Sequence, residues 1–116
     1  MKIKVEKKHI RLGKPQKGKC PLSLAFQEVL NLDERLVLVS PMCLTLHDYH
    51  GASVYVCELP QHAKDFYKKY FSYFENIEKM QRLPRPISFE MGAVDYLEAG
   101  SFDQLLYISN KINDLT

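Results

Sequence analysis

The hydrophobic pattern of this chain predicts an α+β fold: a mostly antiparallel sheet of about five strands, packed by two main helices, with a further helix toward the C-terminal end. Three observations predict it. Two segments carry apolar residues at helical spacing: Leu22, Ala25, Phe26, Val29 and Leu30, and then Ala63, Phe66, Tyr67, Tyr70, Phe74 and Ile77. Several short segments are alternating or β-branched, as strands are. Two of these flank the turn-forming run Asp48-Tyr49-His50-Gly51-Ala52, the signature of an antiparallel hairpin.

Taken in order, residues 2–10 alternate polar and apolar side chains, with Ile3 and Val5 on one face, and read as a first strand. A glycine- and lysine-rich loop follows, and Pro21 then stands at a first helical position, where its missing N–H is harmless. The helix over 21–31 ends at Asn31 and Asp33. Leu36 to Val39 reads as a buried strand broken by Ser40-Pro41, and Met42 to His47 and Ser53 to Leu59 as the arms of a hairpin. Pro60 opens the longest helix, about residues 61–79. Leu83-Pro84-Arg85-Pro86 is a stiff connector, because proline fixes its own φ and pushes the preceding residue toward extended backbone. Ile87 to Met91 reads as the last strand, Asp95 to Leu97 as a short turn, and Ser101 as the cap of a helix carrying Leu105, Leu106, Ile108 and Ile112.

With 116 residues the chain fits one domain, 1–116, in which 92–116 is a helical extension. Its 46% hydrophobic and 26% charged residues are those of an ordinary soluble protein. Apolar runs such as Leu36 to Val39 are far too short to cross a membrane, and the N-terminal residues have no apolar signal region, so the expected location is the cytoplasm, with no membrane partner. Three cysteines without CxxC spacing fit a reducing compartment. The formal net charge of +2 conceals an asymmetry. Residues 1–20 hold Lys2, Lys4, Lys7, Lys8, Arg11, Lys14, Lys17 and Lys19 against Glu6, so the rest of the chain is net acidic. A basic head suits nucleic acid or a nucleotide; it equally suits a solvated surface, or a head lying against an acidic tail.

The loop from Gly13 to Cys20 runs into a helix start, where unpaired N–H groups and the helix dipole favour anions. Lys14, Lys17, Lys19 and Cys20 are therefore candidate anion-binding residues, set against the plainer reading of a solvated connector. The loop is not a phosphate-binding Walker motif, since Lys-Cys-Pro stands where Gly-Lys-Ser/Thr belongs. Cys20, beside lysines at a helix start, is placed where thiolates are favoured, and His9 is the nearest base in sequence. The plainer reading is a small buried cap residue. His47, His50, His62 and Cys57 make only a weak zinc pattern. Within the aromatic helix Phe71 and Tyr73 lie off the apolar stripe, and an exposed aromatic pair marks a protein partner or a homodimer contact. Interleaved with Lys64, Lys68 and Lys69 the same aromatics suit single-stranded nucleic acid, although a domain without tryptophan needs most of them as core. Neither a carboxylate pair nor a Ser-His-Asp arrangement stands out. The residues thus favour a small non-enzymatic binding protein acting by protein–protein contact, with no catalytic residues, metal or cofactor. An anion or nucleic-acid binder and a Cys20-dependent enzyme are the alternatives.

His9-Ile10, Gly13 and Cys20-Pro21-Leu22-Ser23-Leu24-Ala25 form a pattern together with Glu58-Leu59-Pro60, Asp65-Phe66 and Pro86-Ile87-Ser88-Phe89-Glu90. Over residues 3–91 this resembles a family of small uncharacterised proteins from phage and bacterial genomes. The resemblance implies a phage or mobile-element accessory protein. Many members of that family carry a second cysteine shortly before the Cys-Pro; here Gln16-Lys17-Gly18 has none.

Overall fold

The computed structural model describes residues 2–16, 18–47, 53–75, 82–91 and 95–96. The elements are β1 (Lys2–Val5), α1 (Lys7–Leu12), α2 (Pro21–Leu30), β2 (Val37–Val39), β3 (Cys43–His47), β4 (Ser53–Glu58), α3 (Gln61–Glu75), β5 (Ile87–Glu90) and β6 (Asp95–Tyr96). The α+β class and the antiparallel pairing are as expected. The single five-stranded sheet is not: the strands divide into two sheets. β1 and β5 form a ribbon in the register Lys2↔Glu90 to Val5↔Ile87. β2, β3 and β4 form a meander, to whose far edge the two residues of β6 add a short pairing through Tyr55↔Tyr96 and Val56↔Asp95. Asp95 and Tyr96, read from sequence as part of a turn, are thus the short strand β6. The 48–52 turn and the C-terminal helix read from sequence lie outside the described residues, as does the end of the long helix beyond Glu75.

The ribbon and the meander share no hydrogen bonds among the described residues; α2 joins them by packing on both β1 and β2. Phe26 shows how. Its ring is fully buried and meets Phe89 of β5 edge to face at 6.0 Å. Around it lie Ile3 and Val5 from β1, Leu22, Ala25 and Leu30 from α2, Val37, Val39, Leu44 and Leu46 from the meander, and Ala63, Phe66 and Tyr70 from α3, all in one core.

A second correction concerns the N-terminal strand, which stops at Val5. The chain turns instead into α1, a six-residue helix that alternation had hidden. The cause is a reciprocal cap. Glu6, in extended conformation, receives the N–H of His9 on its side chain, while its own N–H donates to His9 Nδ1 at 2.9 Å. Two orphan donors of the helix start are satisfied in this way, as in a capping box, but with histidine in place of the usual Glu or Gln. α2 ends where the sequence places its end: Asn31 takes a left-handed conformation (φ 54°), which asparagine tolerates better than most residues, and its N–H closes on the Gln27 carbonyl.

The β2–β3 connection is built by Ser40. Its hydroxyl accepts the N–H of Cys43 at 3.2 Å and its own N–H donates to the Cys43 carbonyl at 2.9 Å, leaving Met42 exposed at the tip. Along α3, Ala63, Phe66 and Tyr70 are buried and Tyr67, Phe71 and Phe74 pack against the same core. The Tyr70 hydroxyl is buried without a hydrogen-bond partner among the described residues, and burial pushes its phenol up to about 12, with a smaller push from the Cys20 sulfur. An unpaired buried hydroxyl costs about 1–3 kcal/mol. Tyr70→Phe should therefore raise stability by about 1 kcal/mol in urea unfolding; a loss of stability would mean that the hydroxyl is held by water.

Candidate functional site

The Gly13–Cys20 loop is closed on itself. The Lys14 N–H donates to the Lys19 carbonyl at 2.8 Å, and the N–H groups of Lys19 and Cys20 both donate to the Gln16 carbonyl, at 3.1 and 3.0 Å. Gly18 takes φ +78°, and its carbonyl accepts from Gln27 Nε2 at 2.7 Å, tying the loop to α2. Lys14 and Lys19 are exposed, whereas Lys17 lies outside the described residues. The helix start that was to hold the anion faces inward: Cys20, Pro21, Leu22 and Ser23 are all buried. Among the described residues, Lys14 and Lys19 thus lie on the surface while the first turn of α2 is buried.

Cys20 is a core residue, 1% exposed, with its sulfur 3.4 Å from the Ser23 hydroxyl. Burial pushes the thiol up, and the Ser23 hydroxyl and the first N–H groups of α2 oppose that more weakly. The expected shift toward thiolate is reversed, because a charge loses more by leaving water than a helix start returns. Nor is His9 its base. The imidazole is 5% exposed, with Nδ1 accepting the Glu6 N–H and Nε2 lying 2.6 Å from a Glu28 carboxylate oxygen. Since Nδ1 is an acceptor, the ring proton sits on Nε2 and is donated to Glu28. Lys8 reaches the same carboxylate at 2.8 Å, and together the two donors hold the Glu28 carboxyl below the usual carboxylate range, Lys8 contributing more.

Among the described residues, His47, His62 and Cys57 do not come together as a metal-ligand group. Cys57 is buried opposite Leu44, His47 lies further along β3 opposite Ser53, His62 is exposed on α3, and His50 lies outside the described residues. Among the described residues, the group of potential ligands that does meet is Glu6, His9 and Glu28, whose ligand atoms lie within 4.8 Å of one another. The Lys8 ammonium, 2.8 Å from Glu28 and 3.4 Å from Glu6, already supplies a cation there.

Phe71 and Tyr73 do not form one patch. Both are half-buried and they face opposite flanks of α3. Phe71 stacks on Tyr67 at 4.2 Å, one turn earlier, beside a hollow that also includes Pro41 and Met42. Tyr73 lies edge to face with Phe74 at 5.0 Å and lines a different groove.

That groove, of about 650 Å³, lies between α1, the end of α3 and the connector 82–86. Its apolar lining is Ile10, Tyr73, Phe74, Leu83, Pro84 and Pro86, and its charged lining is Lys7, Arg11 and Arg85. Lys7, Ile10 and Arg11 come together because positions i, i+3 and i+4 share a helix face. A second groove of about 500 Å³ adjoins it, sharing Leu83, Pro84 and Arg85 and adding His62, Lys69 and Arg82. Of the residues that line this site only Tyr73 reads in the sequence as a protein contact; Lys7 and Arg11 stand there in the basic head, and 83–86 is a connector. Alternation assigns Lys7 and Ile10 to a strand over residues 2–10, which would place them on opposite faces, and leaves Arg11 beyond its end. The signal that could have found them is the Glu6/His9 cap.

No family model matches this chain, no curated protein is detectably similar to it, and no solved structure matches it.

Proposed function

We propose that this chain is a small non-enzymatic binding protein whose protein contact is the groove between α1, the end of α3 and the 82–86 connector. The observation that carries the reading is the apolar lining of that groove, into which Leu83 brings a large aliphatic side chain that is still 37% exposed. Apolar surface gathered in a concave site is what a partner side chain gains most by covering. Of the two aromatics singled out in the sequence, Tyr73 belongs to this contact and Phe71 does not. The setting implied by the resemblance, a phage or mobile-element accessory role, suits a module of this kind.

The test uses peptides selected from a random display library on the immobilised protein. Leu83→Ser should weaken the selected binders by about tenfold, the worth of one covered leucine. Leu12→Ser, at a leucine that is 69% exposed but outside the groove, should leave them unchanged. Binders indifferent to Leu83 and sensitive to Met42 would place the contact in the hollow beside Phe71 and sink the reading.

A further inference from the structure

We infer that the partner segment is acidic: an amphipathic helix with a carboxylate-rich face that meets Lys7, Arg11 and Arg85 while its apolar ridge covers Leu83. The inference rests on the contact proposed above and adds the chemistry of what fills it.

Three observations carry it. First, charge in the groove is of one sign. Among the described residues no acidic side chain lines it, and the adjoining groove has only Asp65, whose carboxylate accepts from Gln61 Nε2 at 2.9 Å. Second, the cations here are exposed and have no ion pair among the described residues, a state they share with Lys2, Lys4, Lys14, Lys19 and Lys68 but not with three cations elsewhere. Lys8 is paired with Glu28 and Glu6, Lys64 with Glu58 at 2.6 Å, and Arg35 with Asp33 at 3.1 Å. Lys7, Arg11, Lys69, Arg82 and Arg85 have no ion pair among the described residues, although Lys7 adjoins Lys8 in sequence. Like charges gathered at one concave site repel one another and attract an opposite charge, and apolar walls focus that field.

Third, the connector disfavours the main alternative for a protein segment. Pro84 and Pro86 have no N–H, so the connector is a poor template for an added strand, and recognition falls mainly to side chains, as when a helix lies in a groove. The lining also favours a peptide over a nucleic acid. Its apolar part is mostly aliphatic and proline (Ile10, Leu83, Pro84 and Pro86), and the Phe74 ring already meets Tyr70 and Tyr73 edge to face, both at 5.0 Å. Bases bind on open aromatic faces.

The experiment follows fluorescence anisotropy of a labelled synthetic helix-forming peptide with leucines on one face and glutamates on the others. Its counterpart with lysine for every glutamate, and an oligo-dT, are the comparison probes. The protein is used whole, as wild type, as Lys7→Glu/Arg85→Glu and as Leu83→Ser. All three replaced side chains are exposed, so thermal melts should coincide and confirm that each variant is folded. The acidic peptide should bind wild type and weaken as salt is raised, and the double charge reversal should weaken it about tenfold and bring preference for the lysine peptide. Equal binding of the two peptides by wild type, or an affinity that ignores both salt and charge reversal, overturns the inference. Oligo-dT bound more tightly than the acidic peptide overturns it in favour of nucleic acid. Sensitivity to Leu83→Ser without sensitivity to charge reversal leaves the groove as a contact and removes its acidic partner; sensitivity to neither removes both.

Discussion

Replacing Phe26 with alanine should lower stability by about 3–5 kcal/mol, the usual range for emptying an aromatic site in a core. Small domains are stable by only about 5–15 kcal/mol, so this one change should remove a large part of the total. The reason lies in the architecture. The β1–β5 ribbon and the meander have no hydrogen bonds in common among the described residues, and α2 packs on both. The Phe26 ring is fully buried and lies against Phe89 of the ribbon. Truncation removes both the buried area and the aromatic pair that anchors α2 to β5. Urea unfolding followed by circular dichroism reads the loss. Phe26→Leu, which keeps most of the volume, should cost much less. A change below about 1 kcal/mol for Phe26→Ala would show that α2 is not what holds the ribbon in place.

Gly13→Ala should cost about 1–3 kcal/mol, the range for forcing an extra methyl into a packed site. This glycine has ordinary extended backbone, φ −68° and ψ 159°, so conformation does not require it. Space does. A Cβ there would stand 2.8 Å from the His9 carbonyl oxygen and 2.8 and 2.9 Å from the Cδ and Cγ atoms of Pro21. The same carbonyl receives the Gly13 N–H at 2.8 Å, so it cannot move aside without giving up the helix cap. The Pro21 ring is part of α2's buried first turn. The methyl can be admitted only by parting α1 from α2, which strains the contact between His9 and Glu28. Thermal melts should show the loss, and a variant as stable as wild type would mean that the two helices slide past each other at little cost.

Periodicity alone located α2, α3 and the meander, because each is long enough, or apolar enough, to show its period within itself. The Asn31 stop and the Ser40-Pro41 break were legible for the same reason: they are local chemistry. What the sequence hid depends on contacts between distant residues. α1 spans six residues, too few for its period to emerge from the alternation before it, and its cap uses histidine where glutamate is customary. The partition into two sheets turns on β1 choosing β5, a pairing that no local pattern encodes. The proposed contact was largely hidden as well. Tyr73 drew attention as an aromatic off the stripe, but its neighbour Ile10 comes from a far earlier part of the chain. The plainer reading of Cys20 as a buried cap holds, while the expected shift toward thiolate fails for a related reason: the burial that raises its thiol is a property of the assembled core, and its sequence neighbours pointed the other way.

The ribbon also sets an order of events during synthesis. Lys2 pairs with Glu90 and Val5 with Ile87, so β1 leaves the ribosome well before β5 and waits for it before their hydrogen bonds can form. Closing so long a loop costs chain entropy before any contact repays it, and such distant pairings slow folding. Until then Ile3 and Val5, both buried in the finished core, have no strand beside them. The alternating lysines at positions 2 and 4 point away from that core and stay exposed once it forms. Charges spaced in this way discourage an unpaired strand from joining another chain. Lys2 and Lys4 thus act before any partner is met, discouraging β1 from pairing with another chain while its mate is still being made.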